Sequence, residues 1–177
     1  MEPLTEPGLR ASFVNCSKGE AQRIRPPAEP AGIAWPELDF LGWRDPRIPQ
    51  RAYLVAPWDG RPVGLVLRSP ASRAKGLIKS SMCSICLTVH TASGVSVFVA
   101  PKAGRPGRDG NTVGSYICTD LQCSLYVRGR LKSEAAAGMD ETLGVEARAE
   151  RLRGKLGQFV ANVLGAQSLE ALALDLG

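Results

Sequence analysis

The segments SMCSICLTVH (residues 81–90) and SYICTDLQCSLYVR (residues 115–128) hold four of the chain's five cysteines. Their spacing is Cys83-x2-Cys86 and Cys118-x4-Cys123, two close pairs separated by 31 residues. A CxxC turn lets two sulfurs point at one tetrahedral centre, at zinc–sulfur distances of about 2.3 Å. Four unrelated core thiols have no reason to fall into two pairs. A thioredoxin-like redox pair needs a helix after the motif, and the residues after Cys86 are strand-like. An iron–sulfur cluster takes the same four ligands and stays open at this level. The reading that the spacing favours is zinc held by Cys83, Cys86, Cys118 and Cys123. Four thiolates leave no open coordination position, so such a zinc is structural. Amides at the start of a helix after Cys118 are expected to donate to the sulfurs.

Around this module the chain reads as α+β, with small antiparallel hairpins, short N-terminal helices and a long C-terminal helix. Thr5-Glu6-Pro7 reads as a helix start, and Ser17 to Glu20 has capping-box spacing for a second short helix through Ile24. Tyr53–Val55 and Val63–Leu67 are strand-like across a Trp58-Asp59-Gly60 turn, and residues 40–46 offer another strand. Leu87–His90 is expected to pair with Val95–Ala100 across Ala92-Ser93-Gly94. Residues 102–111 read as a loop, and residues 113–118 as a strand leading into the second cysteine pair. A short helix is expected to end at Gly129. Val145, Ala149, Leu152, Leu156, Phe159, Val160 and Val163 recur at three- and four-residue steps and predict a docked helix. The division expected is one domain over residues 1–165, with the zinc module at about 80–132, and a tail over 166–177.

The net charge of +5 is unevenly distributed. Residues 61–132 carry 11 basic and 2 acidic groups, whereas the flanks are balanced or acidic. A block of this kind attracts a polyanion, either nucleic acid or an acidic protein face. No apolar run approaches the roughly 20 residues of a membrane span. The N-terminus lacks the basic start and apolar stretch of a signal peptide, so a soluble cytoplasmic protein is expected. The chain has one histidine, His90. It provides no His-Asp partner set for a nucleophile, and the glycines of GRPGRDG (104–110) match neither GxGxxG nor a P-loop. The expectation is a binding protein and not an enzyme. Cys16, far from both pairs, is expected to be a small buried hydrophobe. His90 lies four residues past Cys86 and reads as an ordinary hairpin side chain or a neighbour of the metal.

With the cysteine pairs placed, ASFVNCSKGEA, LDFLGWRDP, RAYLV, SMCSICLTVH and GNTVGSYICTDLQCSLYVRG, in this order, resemble the C-terminal treble-clef zinc-finger domain of elongation factor G-binding proteins, the FBP domain. That family includes the FusB-type fusidic acid resistance proteins. The resemblance covers about residues 4–165. It implies a treble-clef fold with the family's CxxC and CxxxxC ligands at Cys83, Cys86, Cys118 and Cys123. It also implies contact with elongation factor G and a part in that factor's release from the ribosome. Basic and aromatic groups near the metal are the candidate contacts: Arg105, Arg108, Tyr116, Tyr126, Arg128 and Arg130. Tyr116 and Tyr126 fit a core role equally well. The competing reading is a basic zinc domain that binds RNA or the ribosome directly. RNA binding weakens steeply with salt and gains from exposed aromatics, of which Cys83 to Arg130 offers only Phe98, Tyr116 and Tyr126. A zinc-dependent redox or metal sensor is a further reading.

Overall fold

Each short N-terminal helix begins with its own cap. In the computed structural model, which describes residues 1–27, 32–69, 80–91, 93–136 and 142–165, α1 spans Glu6–Ala11 and α2 spans Lys18–Arg23. The Thr5 hydroxyl accepts from the Gly8 amide. Ser17 and Glu20 form the reciprocal capping box, each side chain accepting from the other's amide. Such caps satisfy donors that a helix start otherwise leaves unpaired.

Seven strands follow among the described residues: β1 (Leu41–Arg44), β2 (Arg51–Trp58), β3 (Arg61–Arg68), β4 (Ser80–Met82), β5 (Val89–Thr91), β6 (Val95–Pro101) and β7 (Thr112–Cys118). Five of them form an antiparallel sheet in the order β1-β2-β3-β6-β7, and β4 pairs with β5 in a second small sheet. The β2–β3 hairpin pairs Trp58 with Arg61, leaving Asp59-Gly60 as a two-residue turn. Both turn residues have positive φ (48° and 72°), the geometry that matches the natural twist of paired strands.

Period-two alternation splits the buried side chains of β2 between two cores. Ala52, Leu54 and Ala56 join Val63, Leu65 and Leu67 of β3 in one core. Tyr53, Val55 and Val66 face the other, with Leu9, Phe13, Ala21, Ile24 and Trp35. The first core is covered by α5 (Val145–Leu164) through Ala149, Leu152, Leu156, Phe159, Val160 and Val163. Val145, the first residue of the expected stripe, is exposed because it opens the helix beyond the sheet's cover. Gly165 closes α5 at φ 74°, a left-handed cap that favours glycine.

The sheet departs from expectation at β5. Leu87–His90 does not pair with β6. Instead Ser81 pairs with His90 and Met82 with Val89, because the CxxC turn folds the chain back on itself, with the Cys83 amide donating to the Thr88 carbonyl at 3.0 Å. The partners of β6 are β7, from Val95–Cys118 to Pro101–Thr112, and β3. Within the expected loop 102–111 lies a short helix, α3 (Gly104–Arg108). After the second cysteine pair comes α4 (Cys123–Val127), and Gly129 follows at φ 67°. Residues 166–177, read as a tail, lie outside the described residues. No helix among the described residues is long and apolar enough to cross a membrane.

Candidate metal centre

Two loops bring the four cysteines together. The first is the turn between β4 and β5, carrying Cys83 and Cys86. The second runs from Cys118, the last residue of β7, to Cys123, the first of α4. Backbone ties the first loop to β7, which carries Cys118: the Ser84 amide donates to the Tyr116 carbonyl at 2.7 Å. Leu87 and Leu121, one in each loop, have φ of 62° and 60°. A left-handed conformation costs a side-chain-bearing residue about 1–2 kcal/mol, a strain that persists only where the surroundings over-determine it.

All four sulfurs lie within 4.8 Å of one another and all four residues are buried. Cys83 Sγ is 3.7 Å from Cys123 Sγ, and Cys86 Sγ is 3.4 Å from Cys118 Sγ. A tetrahedron with metal–sulfur arms of about 2.3 Å has edges of about 3.8 Å, so the cluster has the size that zinc requires. None of the cysteines is in a disulfide. The sulfurs compete for protons. Cys83 is held low by sulfur hydrogen bonds from Cys118, Cys123 and Cys86. Cys123 is pushed well up by Cys118, Cys83 and Cys86 and by burial. Four buried thiolates coexist only around a cation, and a soft tetrahedral sulfur set suits zinc. With all positions taken by sulfur, the ion is structural.

The surrounding groups offset the net negative charge of a tetrathiolate zinc centre. The amides of Ile85 and Cys86 point at Cys83 Sγ, at 3.4 and 3.5 Å. Amides of the first loop thus take the role expected of the helix start after Cys118. Thr88 Oγ1 lies 3.3 Å from Cys86 Sγ, and His90 Nε2 lies 3.3 Å from Cys118 Sγ. Of the two readings of His90, a neighbour of the metal site and an ordinary hairpin side chain, this contact fits the first. Its only signal was the four-residue step from Cys86, which places His90 on the buried face of β5.

The six candidate contact residues fall into two groups. Arg105 and Arg108 on α3, between β6 and β7, and Tyr116 within β7 are exposed. Arg105 makes only a loose pair with Asp109, at 3.6 Å. The other three engage the protein itself. Tyr126 stacks T-shaped on His90 with ring centroids 4.7 Å apart, and its hydroxyl donates to Asp120 at 2.8 Å. Burial and that bond push its phenol well up. Arg128 makes two bonds to the buried carboxylate of Asp39, and Arg130 pairs with Glu37 at 2.6 Å. Arg153 of α5 also reaches Asp39. No sequence signal pointed to Asp39, which lies 89 residues from Arg128. Cys16 is half-buried against the second core, and burial raises its thiol.

The family model for the FBP C-terminal treble-clef zinc-finger matches residues 8–163. A solved structure of the fusidic acid resistance protein FusC has a similar fold, with a TM-score of 0.54 and 17% sequence identity, covering 91% of this chain. The chain spans 59% of the length of that FusC chain. A search of curated proteins finds no match.

Proposed function

The chain belongs to the FBP C-terminal treble-clef zinc-finger family, and on that premise we propose that it is a zinc-stabilised binding module. Its partner is elongation factor G, and its effect is on that factor's release from the ribosome in the cytoplasm. It acts by binding and performs no bond chemistry. The observation that supports this most is the extent of the family match, residues 8–163, which takes in both cysteine pairs and the sheet that carries them. FusC, similar in fold, is a fusidic acid resistance protein.

The surface is consistent with a protein partner. Phe98 is fully buried and Tyr126 is tied to His90 and Asp120, so Tyr116 is the one well-exposed aromatic between Cys83 and Arg130. A single exposed ring is a poor platform for stacking several bases, whereas exposed tyrosine and arginine are frequent interface anchors. The zinc centre holds β7 and the first loop in place and so fixes the position of Tyr116. The test is a pull-down of the zinc-loaded chain on immobilised elongation factor G, beside a gel shift with ribosomal RNA at low and high salt. Capture by the factor with weak, steeply salt-dependent RNA binding is expected. Tight RNA binding without capture of the factor transfers the function to RNA.

A further inference from the structure

The chain's one histidine stands against the metal centre in a way the four-cysteine pattern does not require. His90 is 5% exposed, and its Nε2 lies 3.3 Å from Cys118 Sγ. A zinc-bound thiolate carries lone pairs and no proton, so the bond forms only with the hydrogen on Nε2. Two contacts hold the ring in the donating orientation. Tyr126 packs T-shaped against it at 90°, and Tyr126 is itself anchored by its bond to Asp120. Gly94 is the second: a methyl group there would lie 2.4 Å from His90 Cβ and 2.8 Å from Cγ. Gly94 in turn accepts at its carbonyl from the Thr119 amide, one residue past Cys118. The ring, its support and its ligand therefore form one connected unit, Asp120–Tyr126–His90–Cys118.

We propose that His90 is the positioning residue of the zinc centre: its Nε2–H donates to Cys118 Sγ, draws charge off that sulfur and so slows zinc release. This rests on the reading of the four cysteines as the zinc ligands. An N–H donor shared with a ligand sulfur lowers the sulfur's electron donation to the metal and its readiness to take a proton and dissociate. Outer contacts of this kind typically govern metal affinity by about 10–100-fold. Among the described residues the amides of Ile85 and Cys86 donate to Cys83 Sγ, and His90 gives Cys118 a side-chain counterpart.

The test replaces zinc by Co2+ in the full chain and compares wild type with His90→Phe, which fills similar space without a donor, and His90→Gln, which keeps an N–H. A wild-type chain with the spectrum of one tetrahedral thiolate-bound Co2+ establishes the site. His90→Phe is then expected to shift the sulfur-to-cobalt charge-transfer band to longer wavelength and to release zinc to a chelator about tenfold faster or more. His90→Gln is expected to recover much of both. A packing role alone would speed release in both variants and leave the band unmoved, and that result overturns the proposal. So does a His90→Phe band and release rate equal to wild type. If His90→Phe does not fold, NMR of the wild type loaded with a magnetic cadmium isotope decides. Scalar coupling from the metal to the His90 Hε2 proton supports the donor, and an unprotonated Nε2 overturns it. A wild-type chain that takes up no Co2+ fails at the ligand set instead, which separates the two claims.

Discussion

The guanidinium of Arg128 grips the carboxylate of Asp39 at two points, Nη1–Oδ2 2.5 Å and Nη2–Oδ1 3.2 Å. This pair joins the end of α4, next to the metal loops, to the segment that enters β1. Ser124 adds a bond to the Asp39 amide and Arg153 a second cation from α5. Breaking a buried pair by deleting one partner costs about 3–5 kcal/mol, because the other charge stays behind. Asp39→Ala strands two arginines that remain partly exposed, so the expected loss is at the lower end, about 3 kcal/mol. Urea unfolding measures it. A loss within experimental error of zero removes this network from the account.

Replacing one ligand, as in Cys86→Ser, or removing the ion with a chelator is expected to loosen the zinc module locally. Structural zinc contributes about 10–16 kcal/mol of binding free energy in small zinc-finger peptides. Here the ligand loops pack into the first core through Cys83, Ile85, Cys86, Cys118, Leu121 and Cys123, but the β2–β3 ladder is hydrogen-bonded without them. Hydrogen exchange should therefore accelerate over residues 80–91 and 112–131, while residues 52–56 and 63–67 keep their protection. Equal protection before and after metal removal contradicts a structural zinc.

Much of this module was legible because its signals are local. Ser17 and Glu20, three residues apart, announced the capping box. Asp59-Gly60 announced the hairpin turn, and the two cysteine spacings announced the metal. Contacts set by long-range packing left no such mark. Asp39 and Arg128 are 89 residues apart, and neither neighbourhood reveals the other. The pairing of β5 was missed because Ala92-Ser93-Gly94 resembles a hairpin turn, whereas the metal loop competes for the same strand and wins. The role of His90 is hidden for the same reason: its contact with Cys118 exists only once β4–β5 has folded over β7.

Tyr116 on β7 is 58% exposed, and Arg105 and Arg108 lie on the surface of α3, which precedes that strand. Tyr116→Ala is expected to weaken binding to elongation factor G by about tenfold or more, the range of an interface anchor worth at least 1.4 kcal/mol. Arg105→Glu with Arg108→Glu should act mainly on the association rate and its salt dependence. Thermal stability and zinc content should match wild type. Calorimetric titration checks the affinity, and stopped-flow association at two salt concentrations checks the rate. Unchanged affinity in all three substitutions moves the contact face elsewhere.

The bond from Tyr53 to Asp45 gives stability a defined pH dependence. Burial works to raise the Asp45 carboxyl. Hydrogen bonds from the Tyr53 hydroxyl and from the amides of Arg47 and Ile48 outweigh it and hold the group low. Its contribution is present above the unfolded carboxyl value of about 4 and is lost as pH falls through the folded one. Burial and the bond to Asp45 push the Tyr53 phenol up to about 12. The folded chain thus keeps a proton that the unfolded chain sheds near pH 10, so this contribution is intact below about 10 and declines from there upward. Tyr126 acts in the same direction. Melting temperature against pH should show an alkaline decline that becomes shallower in Tyr53→Phe. Superimposable curves for the two proteins contradict the assignment.

The central claim is that a zinc-held module binds elongation factor G. It is tested most directly by titrating the purified factor with the zinc-loaded chain, with the same chain after metal removal, and again after zinc is returned. The account predicts saturable one-to-one binding by the loaded chain, its loss without metal and its recovery with zinc. No binding by the loaded chain, or equal binding in all three states, contradicts it.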